Sequence, residues 1–211
     1  MNFDPRTVIS IRIIGILGIL SPIIAYSGII IAILLNLDWF SWTDSALSDL
    51  GHYGNLGLRA FIFNGGLFIS GIFALIFCLA FYHQEKEKFK DDKIGRLLII
   101  IGMIAFFFAV LALIGISIFS EDFGAIHRFV SEVFFTCIPF AMWFFGGAFY
   151  RQKKLKVMGL LALLIGTIAG ITWISYFILH LFSGVAIPEA ISSIAVSFWI
   201  VLRGVQYYWY G

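Results

Sequence analysis

Six long apolar stretches dominate this chain of 211 residues and constrain its fold more than any other feature. They cover residues 11–35, 58–82, 97–119, 129–150, 157–182 and 190–207. Each provides the roughly 20 apolar residues that a helix needs to cross about 30 Å of hydrocarbon. The stretches are continuously apolar, whereas the strands of a membrane barrel would alternate between apolar and polar residues. The sequence therefore predicts an all-α polytopic membrane protein with six transmembrane helices.

The composition agrees with a membrane protein and excludes most soluble classes. Hydrophobic residues make up 61% of the chain and charged residues only 12%, whereas about a quarter of the residues in a typical soluble domain are charged. The net charge of +2 comes from lysines and arginines that border the apolar stretches, so we expect no nucleic-acid partner. No linker or low-complexity segment interrupts the chain, and we expect residues 1–211 to form one domain.

The basic residues indicate how the helices are oriented. They collect at the ends of the stretches that would meet on one side of the membrane: Arg6, Arg12, Lys86, Lys88, Lys90, Lys93, Arg96, Arg151, Lys153, Lys154, Lys156 and Arg203. Connectors rich in lysine and arginine stay in the cytoplasm. We therefore expect a multi-pass protein of the cell membrane with both termini cytoplasmic. The run HQEKEKFKDDK at 83–93 is typical of a solvated turn of mixed charge on this side.

The opposite side receives the connectors 36–57, 120–128 and 183–189. Its acidic residues include four aspartates: Asp38, Asp44, Asp49 and Asp122. We refer to this side as the acidic face and to the lysine-rich side as the basic face.

The first connector of the acidic face contains the sequence SWTDSALSDLGHYGN at positions 41–55. Ser41 followed three residues later by Asp44 has the form of a capping box, and Gly51 is a natural stop, so we predict a short amphipathic interfacial helix over 42–50. At about 100° per residue, four polar side chains fall on one side of this helix: Ser45, Ser48, Asp49 and His52. The other side is apolar, as expected for a helix at the membrane surface.

Polar residues elsewhere at the acidic face indicate a shared pocket. His127 and Ser131 are four residues apart and share a helix face, beside a predicted ion pair between Arg128 and Glu132. The second stretch buries an asparagine, which hydrocarbon penalises unless a neighbouring helix offers partners. A polar stripe in the fifth stretch ends at a histidine. We expect one pocket lined by these residues: Ser45, Ser48, Asp49, His52, Asn64, His127, Ser131 and His180.

Two kinds of chemistry fit these residue types. In the first, a tetrahedral set of the sort that zinc accepts is formed by Asp49, His52, His127 and His180, although no HExxH pattern is present. In the second, His127 is a general base, Asp49 orients it, and Ser48 or Ser45 is the nucleophile of an ester reaction, although no G-x-S-x-G pattern is present. The alternative to both is a structural network of hydrogen bonds. We expect no cofactor, with zinc as the alternative.

Gly166 and Gly170 in the fifth stretch have the spacing of a helix-packing motif. Small residues of this kind let two membrane helices approach closely. They permit either packing within the chain or a homo-oligomer contact, and the sequence leaves both open.

Three motifs resemble domain-of-unknown-function family 998, which contains archaeal and bacterial six-span membrane proteins. They are Ser45-Ala-Leu-Ser-Asp-Leu-Gly51, Asn64-Gly-Gly, and His127 with Ser131. The resemblance covers essentially the whole chain. The chain also resembles, more distantly, the eukaryotic DRAM-type and FRAG-type membrane proteins, which implies a lipid-related role without assigning any catalytic residue.

Two functions follow as hypotheses. In the first, the pocket binds or organises a lipid headgroup or a small polar ligand at the extracytoplasmic leaflet. In the second, the protein is a lipid-active hydrolase or transferase that uses Asp49, His127 and Ser48 at the same leaflet. A transporter fits less well, because transporters place polar groups near the membrane midplane and here the charges stop at its surface.

Overall fold

The computed structural model describes the backbone of residues 5–210 and the side chains of residues 11–209. Its α-helices are α1 (Pro5–Leu34), α2 (Tyr53–Leu56), α3 (Ala60–Lys88), α4 (Lys93–Ile118), α5 (Ala125–Tyr150), α6 (Lys156–Phe177) and α7 (Ala186–Tyr210). Within this part of the chain, six helical segments are long and apolar enough to cross a membrane, and there is no strand. The predicted all-α architecture with six spans is confirmed. The side chain of Arg6 lies outside the described part, as do residues 1–4 and 211.

The fifth span ends earlier than predicted. α6 ends at Phe177 rather than at residue 182, and residues 178–185 form an irregular loop. His180 in this loop has a φ of 50°, a left-handed conformation that a right-handed helix of L-residues does not contain. The polar stripe predicted to climb this helix is therefore interrupted before it reaches His180.

The six spanning helices form a closed ring. Each packs against its neighbours along the chain, and α7 packs against α1 to close the ring. At this closing contact the two backbones touch, since a Cβ atom on Gly15 would lie 2.6 Å from the carbonyl oxygen of Gly204. Small residues of this kind are common where membrane helices pack closely.

Gly166 and Gly170 of α6 pack against the indole of Trp143 in α5. A Cβ atom would come within 2.8 Å of the Trp143 ring at Gly166 and within 3.2 Å at Gly170. Both glycines therefore serve packing within the chain. A homo-oligomer contact through them stays a prediction.

Aromatic side chains fill the interior of the helix ring in the half that lies toward the basic face. Phe145 and Trp199 stack with their centroids 5.4 Å apart and an interplanar angle of 3°. Phe149 stacks on Trp199 at 6.0 Å, and Phe81 meets the same indole edge-on at 5.7 Å. All four aromatic side chains are fully buried, so they occupy the space enclosed by the helices.

A buried charged cluster lies beside these rings. Glu85 of α3 and Arg203 of α7 are 0% and 1% exposed, and Arg203 Nη2 donates a hydrogen bond to Glu85 Oε1. Tyr207 and Lys88 donate to the same oxygen at 2.6 and 2.8 Å. The prediction of a solvated turn over 83–93 is thus wrong for its first residues, because α3 continues to Lys88 and turns Glu85 inward.

Candidate functional site

The helix in the first connector of the acidic face is shorter and more tightly wound than predicted. It contains a 3₁₀-helix over Leu47–Gly51 instead of an α-helix over 42–50. The hydroxyls of Ser41 and Thr43 donate to Asp44 Oδ2 at 2.8 and 2.7 Å, which holds this segment in a turn. Asp49 Oδ2 accepts from the N–H of Ala46 at 2.7 Å. Asp49, and not Asp44, therefore provides the acidic side chain at the start of the helical segment.

The start of α7 holds this connector in place. The carbonyl of Ser45 accepts hydrogen bonds from the N–H groups of Val185 and Ala186 at 3.1 and 2.9 Å. Glu189 Oε2 accepts from the N–H of Leu47 at 2.7 Å. These contacts join residues about 140 positions apart in the chain, so only the closed ring brings them together.

The second connector is held to the first by Asp122. Its two carboxylate oxygens accept from the N–H groups of Tyr53 and Gly54 at 2.7 and 2.8 Å and from the Ser120 hydroxyl at 2.8 Å. His52 Nδ1 lies 3.1 Å away. Burial opposes ionisation, but the hydrogen bond from Gly54, with those from Ser120 and Tyr53, outweighs it and lowers the pKa of Asp122 to about 2.

Asn64 supports the same connector from below. It is 3% exposed, and its Nδ2 donates to the carbonyl of Gly51 at 2.8 Å. A Cβ atom on Gly51 would lie 2.5 Å from Asn64 Oδ1, so only glycine fits there. Asn64 thus finds the partner that its position in the membrane requires, and its role in the structure is to position the connector.

Ser48 and Asp49, which we predicted to share a face, line different spaces. Ser48 faces a cavity between α5 and α6, whereas Asp49 faces a separate recess on the other side of the connector. The two residues are consecutive in the 3₁₀-helix, where neighbouring side chains diverge by about 120°. The structure thus has two separate spaces where we predicted one pocket.

The larger cavity has a volume of about 750 Å³ and lies between α5, α6 and the start of α7. Its end at the acidic face is polar and includes Ser48, Glu121, His127, Arg128, Ser131, Glu132 and Glu189. The rest of its lining is mostly aromatic and aliphatic: Phe135, Pro139, Phe140, Trp143, Trp173, Ile174 and Phe177. Phe140 and Phe177 are 48% and 60% exposed, so the cavity is open between the helices. It is therefore an amphipathic groove.

His127 lies at the polar end with both ring nitrogens engaged. Its Nδ1 lies 2.7 Å from the carbonyl of Phe119 and must donate to it. Its Nε2 lies 2.9 Å from Glu121 Oε2 and 3.3 Å from Ser131 Oγ. The hydrogen bond from His127 is the main cause of the lowered pKa of Glu121, to which the Ser48 hydroxyl adds, while burial acts in the opposite direction. The ring can donate at both nitrogens, which fixes its orientation.

The second recess has a volume of about 490 Å³ and is lined by Trp39, Ser45, Asp49, His52, Asn55, Leu56 and Arg59. Burial is the largest influence on Asp49 and raises the pKa of its carboxyl group, against the hydrogen bond from Ala46. Three of the predicted residues, Ser45, Asp49 and His52, line this recess together. They do not line the larger cavity with His127 and Ser131.

Of the eight predicted residues, the structure brings three together in the larger cavity: Ser48, His127 and Ser131. His180 is exposed on the loop after α6 and lines neither space. The four predicted zinc ligands are consequently not assembled, and within residues 11–209 no group of three His, Cys, Asp or Glu side chains is placed to hold a metal ion. The ion pair predicted between Arg128 and Glu132 does not form either, since neither residue has an ionic partner among the described residues.

Two important residues escaped the prediction. Glu121 follows Ser120 in a polar connector, and nothing in the sequence distinguishes it from Asp122 beside it. Glu189 gives a clearer signal, because it is the one acidic residue at the start of the last apolar stretch. An ionisable residue in a spanning segment is a candidate functional residue by default.

The comparisons with known proteins agree with the resemblance in the sequence. The family model described as "Protein of unknown function (DUF998)" matches residues 19–206. No curated protein and no solved structure matches the chain, and the distant resemblance to the eukaryotic DRAM-type and FRAG-type proteins is not shown. The match spans all but the two ends of the chain, and the chain therefore belongs to the DUF998 family.

Proposed function

We propose that this protein binds an amphiphile, such as a membrane lipid, at the extracytoplasmic leaflet of the cell membrane. The observation that carries the proposal is the amphipathic groove between α5 and α6, with its polar end at the acidic face. Because the basic face carries the lysine-rich connectors, we expect it to be cytoplasmic, which puts the acidic face outside. A polar head at Ser48, Glu121 and His127 would then lie at headgroup depth.

The walls of the groove support an apolar ligand tail. Concave sites with mostly apolar walls and a few placed polar groups are typical of ligand-binding sites. A third space, a cavity of about 100 Å³, lies inside the ring of helices. It shares Ser48, Ser131 and Glu189 with the groove. Its lining is almost entirely apolar, so the polar residues lie at the junction of two spaces that suit hydrocarbon.

One donor in the groove wall supports a bound ligand. The indole N–H of Trp173 is buried and has no hydrogen-bond partner among the described residues, and Trp173 lines the groove. A buried donor without a partner costs free energy unless something accepts from it. An oxygen of a ligand head in the groove would satisfy it.

The alternative is a lipid-active hydrolase or transferase with His127 as general base. Such a base needs a ring nitrogen free to take a proton from a serine. In this site Nε2 is closer to Glu121 Oε2, at 2.9 Å, than to Ser131 Oγ, at 3.3 Å, and Nδ1 is bound to a backbone carbonyl. The geometry therefore suits hydrogen bonding to a ligand better than nucleophile activation.

The proposal is tested by filling the groove. Thr136 of α5 is exposed and lines the groove, whereas Ile104 of α4 is 53% exposed and lines neither cavity. We expect amphiphiles that co-purify with the wild type to fall about tenfold in Thr136→Trp and to be retained in Ile104→Trp, as measured by quantitative mass spectrometry of the purified proteins. Equal amounts in both variants, or no bound amphiphile in the wild type, would refute the proposal. A product released from an ester lipid would favour the enzyme.

A further inference from the structure

The ionisable residues of the groove are not balanced in charge. Three carboxylates line its polar end, those of Glu121, Glu132 and Glu189, against the side chains of Arg128 and His127. Glu121 faces His127 at 2.9 Å. Arg128 and Glu132 are both exposed at the rim of the groove. If His127 is counted against Glu121 and Arg128 against Glu132, the groove has no further cationic side chain for Glu189.

Glu189 is also the most enclosed of the three carboxylates. It is 7% exposed, and the only hydrogen bond that the described residues give to its carboxylate is the one from Leu47 to Oε2. Its other oxygen, Oε1, has no such partner. A buried carboxylate is costly unless a positive charge or several donors compensate it.

Aromatic rings line the groove as well. Trp173 is the centre of a cluster of rings, with Phe135 at 4.7 Å, Phe177 at 5.6 Å and Tyr176 at 5.9 Å between centroids. All four of these residues line the groove. The faces of such rings attract cations, and aromatic cages are the usual binding sites for quaternary ammonium groups.

The same protein shows this combination around one of its own cations. The guanidinium of Arg203 is bound by Glu85 and lies 5.1 to 5.5 Å from three aromatic ring centroids. The groove offers a buried carboxylate and aromatic rings too, but no side chain of the described residues forms an ion pair with Glu189. A cation from a bound ligand would complete the same arrangement beside Glu189.

We infer that the groove selects amphiphiles whose head carries a positively charged ammonium group, bound by Glu189 and the ring cluster around Trp173. This inference depends on the proposed function, because the head is placed by the groove that holds the tail. Arg128 at the rim remains available for a phosphate, so a zwitterionic phospholipid head is within the class. Glu189 is then a specificity-determining residue.

The test compares three dodecyl amphiphiles on the full chain in nanodiscs: dodecyltrimethylammonium, dodecanol and dodecyl sulfate. Binding is followed by tryptophan fluorescence, with empty nanodiscs subtracted. We expect the wild type to bind the ammonium compound about tenfold more tightly than dodecanol, and dodecyl sulfate more weakly still. Thr136→Trp should weaken binding of all three.

Glu189→Gln is the decisive variant. The amide oxygen of glutamine can still accept from the N–H of Leu47, so the contact at the start of α7 is kept while the charge is lost. We expect the preference for ammonium over dodecanol to disappear, with dodecanol affinity unchanged. Asp44→Asn removes the same charge from an exposed position outside both cavities and should keep the preference. Glu132→Gln, at the exposed rim, should reduce it slightly and serves if Glu189→Gln does not fold.

The outcomes separate the two proposals. Equal affinity for the ammonium compound and dodecanol in the wild type, with both lost in Thr136→Trp, would overturn the charge selectivity and leave amphiphile binding in place. A preference that survives in Glu189→Gln, or one that is not reduced at all in Glu132→Gln where Glu189→Gln does not fold, would overturn the assignment to the groove carboxylates. Binding of none of the three compounds would overturn both proposals.

Discussion

Two clusters of charged and polar residues, one near each face of the membrane, are built from similar groups and differ in how they are enclosed. Near the basic face, Glu85 and Arg203 bind each other, and fully buried rings surround them. Near the acidic face, Glu121, His127 and Glu189 line an open groove of about 750 Å³. The closed cluster leaves no space for a ligand. The open one has carboxylate and hydroxyl groups with space beside them, which is why we assign function there and structure to the other.

The sharpest way to break this comparison is to remove the cation from the closed cluster. Arg203→Ala would leave Glu85 buried with only Lys88 and Tyr207 as partners, and losing one member of a buried ion pair costs about 3 to 5 kcal/mol. We expect a large fall in the free energy of unfolding, measured by denaturation in mixed micelles. The Glu85→Met, Arg203→Met double variant should recover much of the loss. An unchanged stability in Arg203→Ala would show that this cluster is not structural.

Asn64→Ala tests the support beneath the open cluster. The carbonyl of Gly51 would lose the donor that lies 2.8 Å away, and a buried acceptor without a partner costs about 1 to 3 kcal/mol. We expect this loss in the same denaturation assay. Asn64→Gln does not replace it, because the longer side chain would collide with Gly51. A variant as stable as the wild type would mean that the connector is held by its other contacts.

His127→Ala tests the open cluster itself. We expect binding of amphiphiles to weaken about tenfold, roughly 1.4 kcal/mol, because the variant removes a hydrogen-bond donor at the head site. Stability should fall by less than in Arg203→Ala, because the imidazole lies beside a cavity rather than in packed surroundings. Quantitative lipid analysis and melting temperature are measured on the same samples. If stability falls strongly and the bound lipid stays constant, the two clusters do not differ as we propose.

Acid should weaken the contact between the two connectors of the acidic face. The pKa of Asp122 is about 2 in the folded protein, below its usual value of 3.8. The ionised form is thus favoured by folding, so the stability it contributes is present above about pH 4 and is lost as the pH falls toward 2. Glu121, whose pKa is also lowered, contributes in the same direction.

Melting temperatures of Asp122→Asn and wild type, measured between about pH 5 and pH 2, check this expectation. We expect the variant to be less stable near pH 5 and to lose less on acidification. Asp38→Asn removes an exposed carboxylate of the same face and should follow the wild-type curve. Parallel curves for Asp122→Asn and wild type would show that the hydrogen bonds to Asp122 do not depend on its charge.

Hydrophobicity and charge were enough to predict the spans and the polar connectors. The structure confirms all six spans, because a stretch of apolar residues long enough to cross the bilayer has few alternatives to a helix. The site was predicted less well. Ser48, His127 and Ser131 do meet in one cavity, but Asp49 and His52 lie in the recess beside it. The prediction projected residues 45–52 onto one α-helix, whereas only Leu47–Gly51 form a helical segment there, a 3₁₀-helix that excludes Ser45 and His52.

The sequence by itself determined that the chain is a six-span helical membrane protein, with lysines at one face and aspartates at the other, because these properties depend on local composition and length. Tertiary structure decided which polar groups meet. Glu189 reaches Leu47, and Arg203 reaches Glu85, across more than a hundred intervening residues in each case. Such pairs depend on how the helices rotate and close into a ring. Packing sets that rotation, and no periodicity within one helix reveals it.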